Sequence, residues 1–148
     1  MIDLRGLDRN GCIQNIRLYC IGKPYGWDKM GPEQFDCSGV PSFSLCLLKK
    51  MNCQELYNSF KENEVEKLQS LPGTLWFYGD SPMHLTHVMT VLDHWPNGGM
   101  TLVGARGGDN TTITIDNAKA RKAFVDVCDM DYWPNHFQVA VDPFQIKP

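Results

Sequence analysis

The chain has 148 residues, 43% apolar and 21% charged, which suits one globular domain over 1–148. A domain of that length buries roughly 70% of its unfolded surface. The net charge of −3 argues against a nucleic-acid partner, because a phosphate-neutralising surface usually makes the whole domain basic.

No apolar run approaches the roughly 18 residues that span a bilayer, so membrane insertion is not expected. The charged start, Met1–Gly11, has no secretory h-region. It reads as a chain made in the cytoplasm without a signal peptide. The first periodic segment is Asn10–Ile21, where Ile16, Tyr19 and Cys20 share a helical face with Cys12 or Ile13. It stops at Gly22, and Lys23-Pro24-Tyr25-Gly26 reads as a turn. An irregular stretch follows to Phe35. A second helix is expected from about Ser38 to Met51, striped by Val40, Phe43, Leu47 and Leu48. Pro41 must sit in its first turn, where a missing N–H is harmless, so the helix begins near Cys37 or Ser38. A third, more polar helix covers Gln54–Leu71, with a break near Asn63.

After Leu71 the pattern changes to short strands: Thr74–Tyr78, His84–His94, Met100–Ala105, Thr111–Ile115 and Phe137–Val141. Pro96-Asn97-Gly98-Gly99 is a hairpin turn between two of them. A short helix is expected over Asn117–Phe124. Helices first and strands afterwards indicate an α+β fold, with N-terminal helices packed on a small antiparallel β-sheet or half-barrel.

Six cysteines stand at 12, 20, 37, 46, 53 and 128, with no CxxC pair and no zinc spacing. An even count permits disulfides, but a domain of this size and apolar content does not require them. Those other than Cys37 read as small buried hydrophobes.

Chemistry concentrates in Gln34-Phe35-Asp36-Cys37-Ser38-Gly39. A cysteine is nucleophilic as thiolate, and a helix start offers amides and a positive dipole end that favour the anion. The same amides can receive an oxyanion, and Gly39 leaves room for substrate to approach them. The structural alternative is a buried cysteine at a helix start capped by Asp36 or Ser38. A nucleophile also needs a base, and there are four histidines. His87, in Thr86-His87-Val88-Met89, lies inside a strand and is able to take the thiol proton. His84, three residues earlier, points to the opposite face. For that reason Cys37, His84 and His87 do not converge as a metal site, and none is expected. His94 and His136 lie at strand ends.

Four segments in order carry a resemblance. They are Gly22-Lys23-Pro24-Tyr25-Gly26-Trp27, Phe35-Asp36-Cys37-Ser38-Gly39, Leu71-Pro72-Gly73-Thr74-Leu75-Trp76-Phe77-Tyr78 and Thr86-His87-Val88. Together they resemble the NlpC-type cell-wall peptidases, papain-like cysteine peptidases, over about two thirds of the chain from Asn10 to Ala105. The tail, from Ala105-Arg106-Gly107-Gly108-Asp109 through Tyr132-Trp133 to Asp142-Pro143-Phe144, is similar to phage-associated members. The resemblance implies Cys37 as nucleophile and His87 as general base. It implies substrate-binding positions at Tyr25, Asp36 and Ser38, each of which also suits packing or capping. The family usually carries a third polar residue where Gly104 stands here. Asp93, Arg106 and Asp109 are the nearby substitutes.

The resemblance implies an amidase or endopeptidase acting on peptidoglycan stem peptides, with no cofactor. Two other readings stay open: an amidase or transferase on a non-wall substrate, and a non-catalytic phage-assembly or binding module. A phage or larger-assembly partner, or a virion-borne or released protein acting on the wall, fits the missing signal peptide. Trp27, Trp76, Trp95 and Trp133 are candidates to line a groove, or to serve as core and rim.

Overall fold

Asp8 opens the first helix, its carboxylate accepting the Gly11 amide at 2.7 Å. The computed structural model describes Leu4 and residues 6–145. Met1–Asp3, Arg5 and Ile146–Pro148, the two ends of the expected domain, lie outside the described residues. Helix α1 (Arg9–Asn15) continues as a π-turn over Ile16–Cys20, where the Ile21 amide reaches back to the Ile16 carbonyl. Cys12, Ile16 and Cys20 are buried, whereas Tyr19 is half exposed.

Helix α2 (Gly39–Ser44) starts within a residue of the expected position but is far shorter. It ends in a Schellman motif: Leu47 N–H donates to the Ser42 carbonyl and Cys46 N–H to that of Phe43. The left-handed residue is Cys46, φ 56°, where glycine is usual, so the stop is not visible as a composition signal. Leu48, assigned to the buried stripe from sequence, is therefore exposed. Helix α3 (Cys53–Phe60) carries a capping box between Asn52 and Glu55 and ends before Asn63, near the expected break. Two 3₁₀ turns and the short strand β1 (Glu64–Val65) replace the rest of the expected helix.

The other strands are β2 (Leu75–Ser81), β3 (His84–His94), β4 (Met100–Arg106), β5 (Phe124–Asp129) and β6 (Phe137–Val141). Among the described residues they form a six-stranded sheet in the order β1-β6-β2-β3-β4-β5, with every pair antiparallel. The Pro96–Gly99 turn joins β3 to β4, with Gly98 at φ 90°. Helices packed on an antiparallel sheet make this the α+β fold that the sequence indicates.

The expected strand Thr111–Ile115 does not form. The Asp109 carboxylate accepts both the Thr111 amide and hydroxyl, and Thr114 with Asn117 makes a capping box. These local bonds turn a β-branched run into the entry of helix α4 (Ile115–Arg121). The edge strand β5 takes its place against β4. Of its six residues only Val125 is buried, so it shows no alternating pattern in the sequence.

Both faces of the sheet are covered. Leu75, Phe77, Val88 and Val103 pack against the helices with Phe35, Leu56 and Phe60. Trp76, Tyr78, Met89 and Leu102 form a second cluster on the other face, joined by Tyr132 and Phe137. Phe35 is fully buried, and its edge-on contact with Phe43 at 5.4 Å links the segment before Cys37 to α2. Burial of that one ring stabilises the fold by roughly 2–3 kcal/mol.

Candidate active site

Residues 24–39 form a tight double turn. Phe35 N–H donates to the Pro24 carbonyl and Asp36 N–H to that of Lys29, which sets Cys37 at the bend before α2. The buried Asp36 carboxylate organises this bend. It accepts the Gly39 amide at 2.7 Å and the Asp28 amide at 2.9 Å, and it pairs with Lys50 at 3.0 Å. Burial pushes the Asp36 carboxyl up, as does the Cys37 charge, while Lys50 and the Gly39 amide oppose them. Ser38, also buried, donates to the same carboxylate at 3.3 Å.

Two sequence expectations change here. The Gly39 amide, offered to an oxyanion, is already bound by Asp36. The missing Gly39 side chain makes room for Lys29, whose carbonyl oxygen a Cβ would overlap, rather than for substrate.

Cys37 is half-buried, and its sulfur lies 3.7 Å from that of buried Cys53 at the start of α3. The Cys37 thiol is held well below its ordinary value. The Cys53 hydrogen bond lowers it most; contact with His87, the His87 charge and Lys50 add to this against burial. Cys53 moves the opposite way, because its thiol is the donor to Cys37 and is itself buried. The sequence reading treated Cys53 as core filler, and nothing local in its sequence marks it otherwise. All six cysteines are free, and Cys46 is exposed on its left-handed turn rather than buried.

His87 sits on β3 opposite Tyr78 of β2. Its Nε2 is 3.2 Å from the Tyr132 hydroxyl and 3.3 Å from the Met89 sulfur. Tyr132 and Trp133 come from the turn after β5 and stand 5.6 and 6.1 Å from the imidazole, ring centre to ring centre. Trp133, at φ 47°, stacks between Tyr78 and His136.

These walls enclose a cleft of about 450 Å³ lined by Tyr25, Trp27, Cys37, Thr86, His87, Ala105, Tyr132, Trp133 and residues 106–110. That size suits a short peptide segment. Tyr25 thus reaches the cleft with Cys37 and His87, and burial pushes its phenol up. Asp36 and Ser38 do not line it; they lie behind Cys37. Trp27 and Trp133 form its rim, Trp76 is core, and Trp95 is exposed near the hairpin turn. His84 points to solvent beside Asp80, and His94 contacts the Ser70 carbonyl. Asp93 pairs with Arg17 and Asp109 with Arg121, so neither contacts His87. Arg106 lines the cleft but pairs with Asp126. Among the described residues no group of three or more His, Cys, Asp or Glu side chains is placed to hold a metal ion. No helix among them is long and apolar enough to cross a membrane.

No protein-family model matches the chain. A search of the curated proteins finds no match either. Solved structures do match. The NlpC/p60 domain of the peptidoglycan hydrolase SagA aligns with a TM-score of 0.65 at 18% identity, over 92% of this chain and 99% of its own. The chain has the NlpC/p60 fold. An NlpC/p60 family protein from Bacillus cereus aligns with a TM-score of 0.68 at 15% identity over 97% of this chain. NlpC1 from Trichomonas vaginalis aligns with a TM-score of 0.63 at 17% identity over 99% of this chain. The chain spans 42% and 49% of the lengths of those two.

Proposed function

We propose that the chain is a cysteine amidase or endopeptidase that cleaves peptide bonds in peptidoglycan stem peptides, with Cys37 as nucleophile and His87 as base. The observation that carries this reading is that half-buried Cys37 and His87 line one peptide-sized cleft, where Cys53, His87 and Lys50 all favour the thiolate. Fold likeness to a domain named as a peptidoglycan hydrolase supports the substrate class.

The Cys37 proton passes to His87, and the thiolate attacks the scissile carbonyl carbon. The resulting oxyanion is received by backbone amides beside Cys37, with the Gly39 amide excluded because Asp36 holds it. The C–N bond breaks as His87 protonates the leaving amine, and an acyl-enzyme remains. His87 then takes a proton from water, whose oxygen attacks the thioester, and Cys37 is released as thiol. None of these steps calls for a metal or an organic cofactor. Tyr25 is assigned to substrate contact, and Asp36 with Ser38 to holding the nucleophile turn.

The test is to incubate the chain with purified peptidoglycan and with defined stem peptides, then to map new amino termini by mass spectrometry. Release of peptide fragments by wild type and none by Cys37→Ala is expected. A reactive Cys37 with no release from any wall substrate would move the reading to an amidase or transferase on another acceptor.

A further inference from the structure

An imidazole that accepts the Cys37 proton at one nitrogen must present its other nitrogen to something. In His87 that other nitrogen is Nε2, placed 3.2 Å from the Tyr132 hydroxyl and 3.3 Å from the Met89 sulfur. Nδ1 is then the nitrogen left to take the thiol proton. A neutral ring accepting at Nδ1 carries its hydrogen on Nε2, and that N–H requires an acceptor. A thioether is a weak acceptor and a phenol oxygen a good one.

We infer that Tyr132 is a positioning residue of this site: its hydroxyl oxygen accepts the Nε2–H of His87, fixing the tautomer that leaves Nδ1 open to Cys37. The same bond stabilises the imidazolium formed when the S–H bond breaks and its proton moves to Nδ1. Nε2 keeps its hydrogen throughout. The inference rests on the Cys37–His87 reading.

Three further observations support this placement. Gly104, on the neighbouring strand, offers His87 no side chain, and the space a Cβ would enter there is taken by the Met89 sulfur. The hydroxyl arrives instead from the turn after β5. That turn is well fixed: the Asp129 carboxylate accepts the Asp131 amide at 2.9 Å, and Tyr132 N–H donates to the Asp129 carbonyl. The Tyr132 ring is also held edge-on to Tyr78 at 5.5 Å and beneath the Arg106 guanidinium, also at 5.5 Å. Burial pushes the phenol's pKa up against the pull of Arg106, so the group stays neutral.

Tyr132→Phe keeps the ring and deletes only the hydroxyl. The charged and titratable groups facing the pair all remain: Cys53 and Lys50 beside Cys37, Asp36 behind it, Tyr78 against both rings, Arg106 and Cys128 beside Tyr132, and Tyr25 across the cleft. The experiment is the pH profile of Cys37 alkylation by iodoacetamide, read by mass mapping, for wild type, Tyr132→Phe and Met89→Leu. Tyr132→Phe should label about tenfold more slowly near pH 6 and equally fast above about pH 10, well past the ordinary thiol value. Met89→Leu should follow wild type. Superimposed profiles for wild type and Tyr132→Phe, with wild type labelling well below pH 8, would overturn the role of Tyr132 alone. A shift in Met89→Leu without one in Tyr132→Phe would transfer the role to the sulfur. A wild-type profile like that of an ordinary thiol would overturn the Cys37–His87 pair and this inference with it.

Discussion

The two walls of the cleft are built by different physics. The nucleophile wall is a short turn held by charge and hydrogen bonds: one buried carboxylate, Asp36, gathers two backbone amides, a hydroxyl and the Lys50 ammonium. The base wall is held by rings, with Tyr78, Tyr132, Trp133 and His136 in stacked or edge-on contact around His87. A charge network concentrates its cost in a single group, because removing one partner strands another in a low-dielectric interior. An aromatic wall spreads its energy over several contacts of about 1 kcal/mol each and yields gradually. The nucleophile side should therefore be the brittle one.

Substitutions can break or sharpen that contrast. Cys37→Ala should lower hydrolysis by roughly 10³-fold or more while the melting temperature stays close to wild type, measured by peptide release and thermal unfolding. Activity near wild type would remove Cys37 from the chemistry. Lys50→Met should destabilise the fold by about 3 kcal/mol in urea titration, since it leaves the Asp36 carboxylate buried without its cation. An unchanged midpoint would mean that the amides alone hold Asp36.

Cys53→Ala acts on acidity rather than stability. Cys53 is the largest cause lowering the Cys37 thiol, so its loss moves the Cys37 pKa up. Thiolate is the form present above the pKa. Alkylation at neutral pH should accordingly fall several-fold, with no change once the pH exceeds the ordinary thiol range. Last, His84→Ala should leave hydrolysis within about twofold of wild type, because its ring is exposed beside Asp80 and does not line the cleft. A loss as large as that of His87→Ala would mean that the base has been misassigned.

The same contrast explains what the amino-acid sequence made legible. The nucleophile turn is contiguous, and Pro41 marks the helix start to within a residue. The alternation expected to set His84 opposite His87 is broken by a bulge at Thr86, since Leu85 and Val88, three residues apart, both pack on the helix side. The base wall gathers residues 78, 87, 89, 132 and 133, whose meeting depends on strand order and on a left-handed Trp133. Tyr132 was read only as part of a phage-like tail, and Cys53 only as core. Gly104 looked like a lost function, but its missing side chain accommodates Met89. Strand β5 was missed because an edge strand rich in aspartate buries little and so lacks the apolar run that marks the central strands. The Thr111–Ile115 error arose because β-propensity lost to the Asp109 and Thr114 caps.

The central claim is that His87 activates Cys37, and the most direct test compares the rate of Cys37 alkylation at pH 6 in wild type and His87→Ala. Rapid, selective labelling of Cys37 in wild type that falls at least about tenfold in His87→Ala is the predicted result. Equal rates in the two proteins would contradict it and leave Cys37 a thiol without its base.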